Sequence, residues 1–329
     1  MNKHFLATAL LALTFLGSGQ FATARENPFI STKCINLSAD EKAQYIDKKT
    51  TQLFSPTVAA RPALDKYKIP ANWKREQLTF NQVTVEKYTP KKKSDRIVLF
   101  MHGGGYVGGL HNRYRDWGIS LAANAGNATL LAVDYRYAPK NVFPAALDDA
   151  AAAYKGIIDA GYDPEKMILI GDSAGGNLAA ALAVYIRDNK LPMPKAMILI
   201  SPWTSATDLP SRKIKYQQDM ILGAKNKRLA PEVAEPSYFK NADKTNPYAS
   251  PVYADLTGMP ATFISAGGDE LLLDDTILYA AYARAAGVKI KEIIYPNMSH
   301  DWTILLPELP ETCAMKEEMA KFIDEQLGK

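Results

Sequence analysis

The sequence predicts an α/β fold: a mostly parallel central sheet with helices on both faces and a small helical cap. Three observations carry this. Short apolar runs recur at 97–101, 129–133, 167–170, 197–200, 261–265 and 288–295. The runs are unbroken rather than alternating, the mark of strands buried on both faces. Helix-like stretches separate several of them, which is the order that builds a parallel sheet.

The elements follow in order. Residues 1–24 form an address. Lys3 gives a short basic start, residues 5–16 are apolar, and Ala22-Thr23-Ala24 supplies small residues for cleavage. The apolar run falls short of the ~20 residues needed to span a bilayer. The pattern predicts a cleaved signal peptide, no membrane anchor after cleavage, and an exported chain, periplasmic or secreted. Residues 25–75 are polar and weakly helical, an N-terminal arm or cap. The catalytic domain is expected over 76–329, beginning with an alternating stretch at 78–88 that reads as an antiparallel edge strand. Residues 144–158 are Ala-rich with Asp148 and Asp149 in the first turns, which suits a helix N-terminus. Residues 177–187, 274–286 and 309–327 also read as helices, and Gly287 closes the second of these three. Residues 205–253 break the alternation, with five prolines and scattered aromatics, and read as a cap-like insertion over the sheet's C-terminal edge, where open α/β sheets bind ligands.

Composition narrows the function classes. The 329 residues are 47% hydrophobic and 22% charged, which excludes long disorder. A net charge of +4 is too small to argue for nucleic acid. Two cysteines exclude a Cys-rich zinc module. In an oxidising compartment Cys34 and Cys313 either bridge or stand as two unpaired thiols.

Gly171-Asp172-Ser173-Ala174-Gly175 matches G-x-S-x-G, with a strand before it and a helix after it. Such a turn lifts Ser173 above the sheet edge as a nucleophile. His102-Gly103-Gly104-Gly105 follows the 97–101 strand. Its glycines leave backbone N–H groups open, so Gly103, Gly104, Gly105 and the N–H of Ala174 are candidates for an oxyanion hole. The chain has four histidines, and only His300 follows Ser173. It is therefore the expected base, since the chain order on this kind of scaffold is Ser, acid, His. The acid must lie between them after a strand. Asp269 fits best, with Glu270, Asp274 and Asp275 as neighbours. Too few histidines remain for a metal site, and no cofactor is expected. Tyr106, Trp203, Tyr216 and Met220 are candidate substrate contacts.

These motifs together resemble the hormone-sensitive-lipase-like family of serine carboxylesterases, on the α/β-hydrolase fold. The resemblance runs from about Ile97 to the C-terminus and includes Asp134-Tyr135-Arg136, Ala138-Pro139, Phe143-Pro144-Ala145-Ala146 and Ser250-Pro251. It implies a helical cap, a small acyl ester as substrate, and Ser173, Asp269 and His300 as the triad. Asp134 and Arg136 are expected to form an ion pair or loop brace. Amidase or peptidase chemistry with the same triad, and a non-catalytic binding protein on the same scaffold, are the rival readings. The chain departs from the family at Asp269-Glu270-Leu271-Leu272, where Asp-Pro-Leu is common. It departs again at His300-Asp301-Trp302, where Gly-Phe follows the histidine, and at Tyr137 and Lys140.

Overall fold

A computed structural model describes residues 27, 29–30, 33–53, 67–226 and 229–328. The expected signal peptide lies outside the described residues. From the N-terminus the elements are α1 (Ala39–Leu53), β1 (Trp73–Phe80), β2 (Val83–Pro90), β3 (Ile97–Met101), α2 (Asn112–Asn124), β4 (Thr129–Asp134), α3 (Ala145–Asp159), β5 (Met167–Asp172) and α4 (Ser173–Asp188). They continue as β6 (Ala196–Ile200), α5 (Pro210–Ile214), α6 (Ala230–Ala234), β7 (Ala261–Gly267), α7 (Leu273–Ala285), β8 (Ile290–Tyr295), α8 (Trp302–Leu305) and α9 (Pro310–Leu327).

One eight-stranded sheet has the order β1-β2-β4-β3-β5-β6-β7-β8. The pairs from β4 to β8 are parallel, while β1 and β2 join antiparallel at one edge. Successive side chains of a strand point to opposite faces, so the apolar runs feed two cores. Leu99, Met101, Leu169, Met197 and Leu199 pack with α3, α4 and α7. Val98, Phe100, Ile168, Ile170 and Ile198 pack with α2 and α9 through Trp117 and Phe322. Each such side chain contributes about 1.5–3 kcal/mol on full burial, so these two layers dominate the stability.

Two elements differ from expectation. The 78–88 stretch is a hairpin, β1 and β2, not one strand. Phe80 pairs with Val83, and Asn81 and Gln82 between them take φ of 48° and 72°. Positive φ at both central residues is the tight turn whose twist suits a hairpin. The alternation runs on across it, so periodicity did not mark the break. Helix α2 has a polar first turn and an internal Gly118, which weakened its helical pattern. The glycine has a packing reason: a Cβ there would meet Leu130 at 3.0 Å and Phe100 at 3.2 Å.

Polar clamps tie the outer pieces down. Arg115 on α2 holds Glu86 on β2 with two bonds of 2.8 and 2.7 Å, buried on both sides. Cys34 and Cys313 form a disulfide with Cα atoms 6.4 Å apart, joining the N-terminal arm to α9. Helix α1 rests on the approach to α9, through Lys49 and Glu308 at 3.1 Å and through Lys42 and Glu311. Among the described residues, no helix is long and apolar enough to cross a membrane.

Candidate active site

The nucleophile turn is built by sterics. β5 ends at Asp172 and α4 starts at Ser173, whose φ is 53°. A non-glycine residue there costs roughly 1–2 kcal/mol. The neighbours make the turn possible. A Cβ on Gly171 would lie 2.1 Å from the Gly175 carbonyl oxygen, and one on Gly175 would lie 2.1 Å from that of Met101. Only glycine lets these backbones approach so closely. The result holds Ser173 at the N-terminus of a 16-residue helix, where the positive end of the dipole favours developing negative charge.

His300 follows β8 and is buried. Its Nε2 lies 2.9 Å from Ser173 Oγ, within hydrogen-bond distance. Its Nδ1 faces Glu270 Oε1 at 3.7 Å. Both of these atoms are buried, and neither has a hydrogen-bond partner. Each is thus the other's available partner, and a shift of a few tenths of an ångström would close the bond; catalytic bonds commonly tighten only with substrate. The other oxygen of Glu270 accepts the Gly267 N–H at 2.8 Å and the Ser201 hydroxyl at 2.7 Å. Burial raises the Glu270 carboxyl above its ordinary range, against the lowering effects of His300, Gly267 and Ser201.

Asp269 is elsewhere. Its carboxylate pairs with Lys215 at 3.2 Å in a partly exposed bridge. The structure therefore does not bring Asp269 to His300; its neighbour Glu270 occupies that place. The reason is the turn after β7, which sends residue 269 outward and residue 270 into the core. Asp274 and Asp275 are also engaged otherwise. Asp274 caps the Ser211 N–H at 2.7 Å, and Asp275 holds Arg212 at 2.9 Å.

The glycine loop is similarly sorted. The Gly103 N–H donates to Asp172 Oδ1 at 3.1 Å, so it is already used and is not open to an oxyanion. Gly104 and Gly105 have φ of 110° and 63° and line the cavity that holds Ser173 and His300. Neither of their N–H groups bonds to a described residue. Ala174, second in α4, carries one of the first-turn N–H groups that lack an intrahelical acceptor. His102 braces the loop: its Nδ1 donates to the Gly103 carbonyl at 2.8 Å and its ring stacks on Tyr135 at 4.3 Å.

The cavity is about 200 Å³. Ile221, Leu222, Leu229 and Val233, from the 205–253 insertion, form an apolar wall with Trp203 and Leu272. Trp203 thus lines the cavity. Tyr106 is not a wall residue; it is buried, donates to Asn177 at 2.7 Å and stacks on Tyr238 at 4.0 Å. Tyr216 is exposed to solvent. Met220 lies outside the lining, while its backbone N–H donates to Ser299 at 3.2 Å. Arg136 pairs with Asp149 at 2.7 Å rather than with Asp134.

Three polar residues of the site had no motif to reveal them. Ser201 joins the acid to the base loop, donating to Glu270 and accepting the Asp301 N–H at 3.3 Å. Asp219 accepts the Leu271 N–H at 2.8 Å and the Ile221 N–H at 2.9 Å, fastening the insertion to the acid loop. Asp301 sets its Oδ2 3.1 Å from His300 Nε2, on the same side as Ser173. Burial alone would lower the pKa of His300. The Asp301 carboxylate, and then Glu270, outweigh this and hold it well above the ordinary imidazole value.

Known proteins resemble this chain in sequence and fold. Residues 98–304 match the model of a family described by the alpha/beta hydrolase fold. An acetyl-hydrolase of Streptomyces hygroscopicus is 34% identical over 253 residues, 77% of this chain and 83% of that protein. An esterase of Acinetobacter venetianus is 28% identical over 72% of this chain and 77% of its own length. Among solved structures, an esterase from the bacterial hormone-sensitive lipase family superposes with a TM-score of 0.75 at 32% identity, covering 89% of this chain and 100% of its own. The chain belongs to the α/β-hydrolase family, among the carboxylic ester hydrolases of the hormone-sensitive-lipase-like group.

Proposed function

We propose that the chain is an exported serine carboxylesterase that hydrolyses short- to medium-chain acyl esters through Ser173, His300 and Glu270. The observation that carries this reading is the line of three groups: Ser173 Oγ, His300 Nε2 at 2.9 Å, and buried Glu270 beside Nδ1. Neutral His300 takes the Ser173 proton as the oxygen attacks the ester carbonyl. The carbonyl oxygen becomes an oxyanion against the N–H groups of Gly104, Gly105 and Ala174. The imidazolium then protonates the departing alcohol, leaving an acyl-Ser173. Water repeats the sequence and releases the acid. Glu270 holds the imidazole with its proton on Nδ1 and stabilises the imidazolium.

A small cavity with mostly aliphatic walls favours short acyl chains. The leader pattern of residues 1–24 and the Cys34–Cys313 bridge both favour an oxidising compartment. The test is a series of p-nitrophenyl esters from acetate to laurate, with Ser173→Ala as the blank and a matched anilide alongside. Turnover peaking at short chains and absent in the blank is expected. Turnover retained in the blank would overturn the reading, and faster anilide cleavage would move the chain to the amidases. Mass spectrometry of exported protein starting at Arg25 tests the leader.

A further inference from the structure

The charged groups around the cavity do not balance one another. Arg113, Glu232, Asp301 and two imidazoles, His111 and His300, line it besides the nucleophile, and His111 caps α2 by accepting the Tyr114 N–H. Glu232 is satisfied by the backbone and hydroxyl of Ser237, at 3.1 and 2.9 Å. Asp301 and His300 face each other at 3.1 Å. Arg113, in the first turn of α2, is half-buried, and among the described residues it has no hydrogen bond or ion pair. Burial pushes its guanidinium pKa down, with Tyr114 and Asp116 only partly opposing this. A guanidinium partly withdrawn from water and lacking a hydrogen-bonded acceptor gains when an anion supplies one. Its five donors match a carboxylate in a fork. It stands in the wall of the chamber that contains Ser173.

We infer that Arg113 is a specificity residue that binds a carboxylate on the substrate, so that the enzyme is selective for esters bearing a carboxylate a few bonds from the scissile carbonyl. This rests on the esterase reading above and names the substrate class of the same site. The carboxylate sits either on the acyl chain or on the alcohol, and the two arms of the test distinguish them. A charge-assisted contact of this kind is worth roughly tenfold or more in kcat/KM. It should act chiefly through KM, because the carboxylate binds before and during reaction alike.

Matched ester pairs test it. Mono-p-nitrophenyl glutarate against p-nitrophenyl pentanoate probes the acyl side. 4-Carboxyphenyl acetate against 4-methylphenyl acetate probes the alcohol side. The ratio of kcat/KM, anionic over neutral, is measured for the unaltered chain, Arg113→Met and Arg113→Lys, with Ser173→Ala subtracting spontaneous hydrolysis. We expect the ratio in at least one pair to fall roughly tenfold in Arg113→Met, with Lys restoring part of it. Folding of each variant is checked by its unfolding midpoint. Neutral esters hydrolysed while both ratios stay within about threefold would overturn this inference and leave the esterase reading standing, since tenfold corresponds to only ~1.4 kcal/mol. No Ser173-dependent hydrolysis of any of the four esters would overturn both.

Discussion

Glu270→Gln is the sharpest test of the proposed catalytic acid, because the surroundings dictate how the amide must sit. In the native chain Oε2 accepts two hydrogen bonds, from the Gly267 N–H and the Ser201 hydroxyl. An amide nitrogen cannot accept, so the Gln carbonyl oxygen must take that position. The NH2 group then replaces Oε1 and points its hydrogens at His300 Nδ1, 3.7 Å away. Nδ1 becomes an acceptor and the ring proton moves to Nε2. In that tautomer His300 cannot take the Ser173 proton. A triad frozen this way loses about 10⁴ in kcat in the best-known precedent. With the longer Nδ1 contact here we expect about 10³–10⁴, or ~4–5.5 kcal/mol of barrier at 1.36 kcal/mol per decade. Asp269→Asn is the matched control. Its carboxylate and Lys215 are 31% and 24% exposed, and an ion pair of that kind contributes about 0–1 kcal/mol to stability. The assay is kcat for p-nitrophenyl acetate per active site titrated, with urea midpoints confirming that both variants fold. Asp269→Asn losing a thousandfold while Glu270→Gln keeps more than about a tenth of its rate would refute the reasoning.

Three further outcomes follow from the same geometry. The raised pKa of His300 means that the base is neutral only above its ordinary value of about 6.5. The acid limb of kcat/KM should therefore lie above that pH, and Asp301→Asn should move it down; a wild-type limb at or below 6.5 would contradict this. The sign for stability is opposite, since the imidazolium's contribution is complete below ~6.5 and is lost as pH rises through the folded value. Cys34→Ser with Cys313→Ser should lower stability by about 2–5 kcal/mol in denaturant melts while leaving kcat intact, because neither cysteine lines the cavity. Gly175→Ala drives a Cβ to 2.1 Å from a backbone oxygen, so a drop of about 1–3 kcal/mol or more in the unfolding free energy should accompany loss of turnover.

What could be read from the sequence divides along a physical line. The strands were legible because burial on both faces demands unbroken apolar runs, and β3 to β8 lie within a few residues of them. Ser173 and the glycine loop were legible because close backbone approach admits only glycine at Gly171 and Gly175. The placing of His300 beside Ser173 followed from chain order alone. The acid was not legible to the residue. Asp269 and Glu270 are adjacent carboxylic acids, two and three residues past the end of β7. One signal did separate them: Glu270 leads into Leu271-Leu272, and all three are buried, whereas Asp269 follows two glycines at the turn's outer side. Gly103 is not separable from its neighbours in sequence, for a similar reason. Its N–H is indistinguishable in sequence from those of Gly104 and Gly105, and only the fold shows that Asp172, 69 residues later, already accepts it.

The residues that no motif announced explain why the triad can be both strained and well placed. Ser173 and Asp301 each adopt positive φ, at 53° and 49°, and so does Ser201 at 44°. Single non-glycine residues in that region cost of order 1–3 kcal/mol each and persist only where their surroundings overdetermine them. Here the surroundings are polar and shared. Ser201 donates to Glu270 with its hydroxyl and accepts Asp301's N–H with the same oxygen, so the loops after β7 and β8 meet at one atom just past the end of β6, the strand between β5 and β7. Asp219 performs the corresponding task for the insertion, binding Leu271 with one oxygen and Ile221 and Leu222 with the other. Thus the loops that hold Glu270 and His300 also fasten, through Leu271 and Ser299, the insertion that supplies the cavity's apolar wall. Changes in the insertion therefore alter substrate fit and, through Asp219, the acid loop; in this chain, specificity and catalytic geometry share hydrogen bonds and are not independent.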